Sequence, residues 1–254
     1  MKILLRCRFL FFIIFMFLLV THEIFGQIET EEPVTKQFWI DFNPSYPISE
    51  KVELYGSIGV RTIDPNVWNR FLVTPSVKYK RPKLILKKLQ YKEELHGGIG
   101  FFYTANRHLA DKLEIRPFQA YSLTWPNRDR IAIKHYLKLE ERFELNTSNW
   151  VNTFGLRLRY TASITLRFQG DLWQYGKGFY IPVSVELFWN IKETIQFNDV
   201  VRLTAGIGYE INPSWKTAFS VGYDYTRNTI GEGFHTNNIL FRFRVYYKFK
   251  NEQY

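Results

Sequence analysis

The sequence predicts an all-β chain: a single antiparallel up-and-down transmembrane β-barrel of about twelve strands, or ten, behind a cleaved signal peptide. Three observations predict it. Apolar and polar residues alternate with a period of two over most of the chain, which describes strands with two unlike faces. The polar face is heavily charged, and a wet lumen tolerates such a face while lipid takes the apolar one. An apolar leader opens the chain and points to export.

The leader comes first. Lys2, Arg6 and Arg8 precede an unbroken apolar run from Phe9 to Val20, then Thr21, His22 and Glu23 end it and Gly26 precedes Gln27. Basic start, apolar middle and small residue before the cut make a secretory signal. The run falls short of the roughly 20 residues that a helix needs to span a bilayer. Cleavage after Gly26 divides the chain into a signal peptide (1–26), a periplasmic N-terminal segment (27–36) and an outer-membrane barrel (37–254). Cys7, the single cysteine, lies ahead of the apolar core. The mature chain therefore has no disulfide, thiolate metal site or cysteine nucleophile.

The strands follow in order. Phe38, Ile40 and Phe42 alternate with Trp39 and Asp41; Leu54, Ile58 and Val60 with Glu53, Ser57 and Arg61; Phe71, Val73 and Val77 with Arg70, Thr74 and Lys78. Ile99, Phe101 and Tyr103 follow Gly97-Gly98, and Leu113 and Ile115 oppose Glu114 and Arg116. From Ile131 to Leu145 the odd positions are mostly apolar and the even ones carry Lys134, Lys138, Glu140, Arg142 and Glu144. Leu156, Leu158 and Tyr160 oppose Arg157 and Arg159; Val183, Val185 and Leu187 oppose Ser184 and Glu186. Leu203 and Ile207 oppose Arg202 and Glu210, Phe219 and Val221 oppose Lys216 and Asp224, and Phe241, Phe243 and Val245 oppose Arg242 and Arg244. That makes eleven segments. Placing both termini on the periplasmic side needs an even number, hence twelve. The missing strand is sought in Pro82 to Leu95, which has no clean period, or in a break near Ala162-Ser163.

The connections at Asn146–Asn149 and Asn212–Ser214 are short, and those at Asp171–Gly178 and Arg227–Asn237 are longer. Short and long connections are expected to sort to opposite ends of the barrel. A β-sandwich also alternates, but it turns every 8–12 residues, and several of these runs are longer. Aromatics reach 18%, with 7 Trp, 16 Tyr and 23 Phe, and suit the interfacial girdles of a membrane barrel. The formal charge is +10, or +8 once three basic residues and one acid leave with the signal. Basic residues are spread singly along strands, which argues against nucleic acid as a partner. The expected partners are outer-membrane lipids, including lipopolysaccharide, and the barrel assembly machinery.

The candidate site is a lumen charge network. Glu114 with Arg116, Glu140 with Arg142, and Arg157 with Arg159 stand two apart on successive strands, and Glu186 follows on the next. Neighbouring strands lie less than about 5 Å apart, so these residues can form a cross-strand ladder. The ladder serves as a structural brace or lines a small pore. The same residues, in Glu114-Ile-Arg116-Pro-Phe-Gln119, Leu137-Lys-Leu-Glu140-Glu-Arg142-Phe143, Leu156-Arg157-Leu-Arg159-Tyr160 and Glu186-Leu-Phe188, resemble the outer-membrane β-barrel family catalogued as domain of unknown function 2490. The resemblance spans roughly Phe38 to Phe249. It implies the cell outer membrane of a Gram-negative bacterium, and it implies no activity.

A catalytic reading has less to stand on. The mature chain has His96, His108, His135 and His235, without metal-ligand spacing. Ser122, Ser163 and Ser184 lie in strand patterns, and no cofactor motif is present. The reading is therefore a non-enzymatic barrel or narrow pore. The alternative is a lipid hydrolase or acyltransferase, which requires a histidine touching a serine or glutamate on the outer surface. His135 and Glu141 fall on the lipid parity and are expected near a rim.

Overall fold

A computed structural model describes residues 34–64, 67–80, 92–125, 130–168, 173–174, 177–192, 197–228 and 235–250. The expected signal peptide (1–26), residues 27–33 and the stretch 81–91 lie outside the described residues, as do the side chains of residues 173–174, 228 and 235–237. The strands are β1 (Thr35–Pro47), β2 (Val52–Asp64), β3 (Trp68–Lys80), β4 (Lys92–Asn106), β5 (Lys112–Thr124) and β6 (Ile131–Asn146). They continue with β7 (Asn152–Arg167), β8 (Trp173–Gln174), β9 (Lys177–Asn190), β10 (Asn198–Glu210), β11 (Trp215–Asn228) and β12 (His235–Lys248). Apart from β8 they run 13 to 16 residues, more than the 9–11 or so that a tilted strand needs to cross a bilayer.

Strands β1 to β7 pair in chain order, β7 pairs with β9, and β9 to β12 continue the circuit. The final seam joins β12 back to β1, from Thr35↔Asn238 to Ser45↔Lys248, and closes the barrel. Strand β8 is a two-residue ladder on the start of β9 and takes no part in the circuit. Eleven long strands therefore form the barrel, one fewer than the twelve expected. Strand β7 runs unbroken through Ala162 and Ser163, so no extra strand hides there.

The odd number has a geometric consequence. Each strand reverses the last, so the eleventh runs the same way as the first. The closing seam is parallel, while the other ten are antiparallel. The first and last strands thus leave the barrel at opposite rims, against the expectation that both termini share one side. The connections do not sort by length either. The short 147–151 connection shares a rim with the β11–β12 connection, and the short 211–214 connection shares the other rim with the one that holds β8.

The alternation of the sequence becomes an inside and an outside. Ile40, Ile58, Phe71, Leu203 and Ile207 point outward and are at least half exposed, while Asp41, Glu114, Glu140 and Asp224 on the opposite parity are almost fully buried. Outward aromatics cluster towards both rims. Phe38 stacks on Phe241 (5.3 Å) and Phe143 packs on Phe154 (5.1 Å) towards one end. At the other, Phe179 meets Tyr209 (4.8 Å) and Trp215 meets Tyr247 (4.3 Å). The β4–β5 turn is tied by Asp111, which accepts from the Tyr103 hydroxyl and the Asn106 amide; these bonds hold its carboxyl below the usual carboxylate range.

The parallel seam is testable, because Ile40 and Phe243 face each other across it. Cysteines at these two positions should form a disulfide on mild oxidation, as should an Ile58/Val73 pair across the antiparallel β2–β3 seam, since both place Cα atoms within bridging reach. A non-reducing gel reads the outcome. Cross-linking at 58/73 without cross-linking at 40/243 would contradict the closure.

Candidate functional site

Charged residues reach the lumen because the outward parity is apolar and each strand keeps its other face for polar groups. Inside, each mid-barrel glutamate gathers two cations, and each mid-barrel aspartate one. On β5, Glu114 takes Arg116 through two bonds of 2.7 and 2.6 Å and takes Arg142 of β6 at 2.6 Å. On β6, Glu140 accepts from Arg157 Nε at 2.7 Å and pairs with Lys138 at 2.8 Å. On β9, Glu186 pairs with Arg159 of β7 and lies 3.7 Å from Arg202 of β10. Arg202 in turn grips Asp224 of β11 with bonds of 2.6 and 2.8 Å. Across the parallel seam, Arg242 donates to Asp41 at 2.5 Å.

All seven residues of the predicted network face inward and are ion-paired, mostly across strands as a ladder requires, with Glu114 and Arg116 also paired along β5. Glu140 and Arg142, two apart on β6, do not pair with each other. Glu140 stands opposite Arg157 in register, and Arg142 crosses the other way to Glu114. Lys138, Arg202, Asp224, Asp41 and Arg242 complete the network. Each sits on the charged parity of its strand, so parity was the signal that pointed to them, and register was needed to pair them. Charges this buried are tolerated only when paired and hydrogen-bonded.

The middle of the lumen holds a cavity of about 420 Å³. Nine arginines and Lys138 line it against one carboxylate, Glu140. Adding Asp41, Glu114, Glu186 and Asp224, which pair into the same layer, gives five carboxylates to ten cations. Aromatic faces hold both paired cations and Arg61, which has no ion pair among the described residues. Arg61 lies 3.7 Å over Trp39, Arg116 3.9 Å over Phe102, Lys138 3.8 Å over Phe118, and Arg142 3.7 Å over Phe197. The negative face of a ring attracts a cation, more strongly where water is excluded. Phe197 reaches in from the β9–β10 connection and is almost fully buried. Gly155 makes room for it: a Cβ there would lie 2.4 Å from the Phe197 ring.

A second cavity, of about 740 Å³, adjoins the first and shares Asn43 and Tyr246 as walls. It is lined by Lys78, Lys134, Arg167, Lys216 and Lys248 against Glu53 and Glu210. Glu53 pairs with Lys78 (3.3 Å) and Lys80 (2.5 Å), and Glu210 with Lys216 (2.5 Å). The cation excess therefore extends from mid-barrel towards the rim where β12 ends.

The histidines divide between the two faces. His96 points inward, 3.0 Å from Ser122 Oγ through Nε2 and 3.1 Å from the Tyr55 hydroxyl through Nδ1. Ser122 also donates to Glu94 at 3.2 Å. No local pattern joins His96, Ser122 and Glu94, which come from two strands. They lack the relay geometry of a nucleophilic triad, in which the carboxylate holds the ring nitrogen remote from the serine. Here Glu94 approaches Nε2, the nitrogen that faces Ser122, and Tyr55 occupies the other. His135 points outward beside Trp125 and bonds the Tyr160 hydroxyl at 2.7 Å. His108 sits in an exposed bend. Among the described residues, no outward histidine is hydrogen-bonded to a serine or a carboxylate. None of their His, Asp and Glu side chains form a group able to hold a metal ion.

Fold and site together define a closed β-barrel with an ion-paired, cation-rich lumen. Over residues 36–235 the chain matches the family described as Protein of unknown function (DUF2490). It belongs to that family. No curated protein and no solved structure matches it.

The network makes a contrast between adjacent residues. Glu140→Ala leaves Arg157 and Lys138 without their shared acid and should destabilise the folded barrel by about 3–5 kcal/mol. Glu141→Ala, on the opposite face, should change stability by about 0.5 kcal/mol or less. Urea unfolding of the protein in lipid vesicles measures both, and equal effects would remove the special role of Glu140.

Proposed function

We propose that the protein is a non-enzymatic outer-membrane β-barrel of a Gram-negative bacterium whose narrow lumen passes small anions. The observation that carries this reading is the mid-barrel layer of ten cations to five carboxylates around a cavity. A passage lined by one sign of charge in a low-dielectric wall concentrates the opposite ion. The membrane part of the proposal is supported by the outward apolar surface, by aromatics towards both rims and by the signal-like leader. Lipid would cover residues such as Ile40 and Leu203 that water penalises. Outer-membrane lipids, lipopolysaccharide among them, are the surrounding partner. The alternating Val245 and Tyr247 of the last strand, with Phe249 just beyond it, supply a segment for the assembly machinery to read.

Planar-bilayer recording on purified protein tests the reading. Under a potassium chloride gradient the current should reverse at a potential of the sign set by chloride. Arg244→Gln, which removes a lumen cation that no carboxylate among the described residues pairs, should move that potential towards zero. A current no greater than background would leave the ladder as a brace in a closed barrel and overturn the passage.

A further inference from the structure

The lumen cations are not held alike. From β5 round to β11 each strand pair has its acid, but at mid-barrel the wall formed by β12, β1, β2 and β3 has one, Asp41, and Arg242 takes it; Glu53, at the rim end of β2, pairs with Lys78 and Lys80. On that wall Arg61 of β2 and Arg70 of β3 stand directly opposite each other in register. Like charges placed this way destabilise a sheet. No carboxylate among the described residues forms an ion pair with either. Arg61 is held flat over Trp39 at 3.7 Å, and its Nε is buried without a hydrogen-bond partner. Among the described residues Arg70 hydrogen-bonds through Nε alone, to Thr104 Oγ1 at 2.7 Å, and lies 5.3 Å from the Trp68 ring. Two further groups on the same cavity wall are left short. Arg244 Nε and Ser57 Oγ are both buried and unpartnered.

We propose that this wall is a binding site for a compact tetrahedral oxyanion of the inorganic phosphate class. Guanidinium groups present paired N–H donors that match phosphate oxygens, and an anion between Arg61 and Arg70 turns a repulsive pair into a bridged one. Ser57 adds a neutral donor of the kind that sets a bound oxyanion's orientation. The cavity of about 420 Å³ accommodates such an ion with part of its hydration, since a water occupies about 30 Å³ in the liquid. The site deepens the anion-passing reading and rests on it for how the ion arrives, while binding itself needs no passage through the barrel.

Calorimetric titration of inorganic phosphate into the folded full-length protein in detergent micelles, at ionic strength held constant with chloride, tests the site. Saturable binding is expected, weakened at least about tenfold by Arg70→Gln. Lys192→Gln, an exposed rim position outside the cavity, should bind as the unaltered protein does. Thermal unfolding gives a second measure. In chloride alone Arg70→Gln should melt no earlier than the parent, because a like-charge contact is relieved. In phosphate the parent should melt later. Phosphate heats that do not saturate, or an Arg70→Gln variant that binds undiminished, would overturn the site. A protein that binds phosphate yet carries no current keeps the site and loses the passage; one that conducts chloride yet binds no phosphate loses the site alone.

Discussion

A strand offers one face for its charged residues, and closing the sheet turns that face into the inside of a cylinder. Much of the structure follows from this confinement. Glu114, Glu140, Glu186, Asp224 and Asp41 are almost fully buried, in surroundings where an unpaired charge costs several kcal/mol. Their arginine partners come mostly from neighbouring strands, so the pairs act as cross-braces between strands as well as neutralising charge. Glu140 sits at the centre, between Lys138 on its own strand and Arg157 on the next. The apolar outward face is the same constraint seen from the other side.

Pairing alone does not settle a lumen with twice as many cations as acids. Aromatic rings take up guanidinium groups both with and without an acid, and Trp39 shows the arrangement most fully, with Arg61 and the ion-paired Arg202 and Arg242 all within 5.1 Å of its ring. Rings inside a polar lumen thus have an electrostatic part to play, unlike the outward Phe and Trp that pack against one another. What the rings leave over is a positive field that runs from the mid-barrel cavity into the adjoining one. That residual field, more than the ion pairs themselves, is what the proposed passage of anions rests on.

The parts of this architecture that depend on parity were legible in the sequence. The run from Ile131 to Leu145 announces its two faces, and Glu140 and Arg142 fall on the inward one as read. Register was not legible, because it is set by the stagger between strands that closing a barrel imposes. Hence the pairing of Arg142 with Glu114 rather than with Glu140 became visible only in three dimensions. The bond from Arg242 to Asp41 joins residues 201 apart in the chain and exists only because β12 returns to β1. The strand count shows a different limit. The eleven alternating segments were present in the sequence, and the twelfth came from an even-number rule that a parallel closing seam does not obey. His96, Ser122 and Glu94 met for a similar reason, as residues of two paired strands whose register no local pattern reveals.

The claim that cross-strand ion pairing holds the lumen is most directly tested by a double-mutant cycle on Glu140 and Arg157, read as unfolding free energy in lipid vesicles. Glu140→Gln, Arg157→Gln and the double variant keep side-chain size while removing charge. A coupling energy of about 1.5 kcal/mol or more is expected, with the double variant recovering much of what either single change loses. Losses that simply add, within about 0.5 kcal/mol, would contradict it.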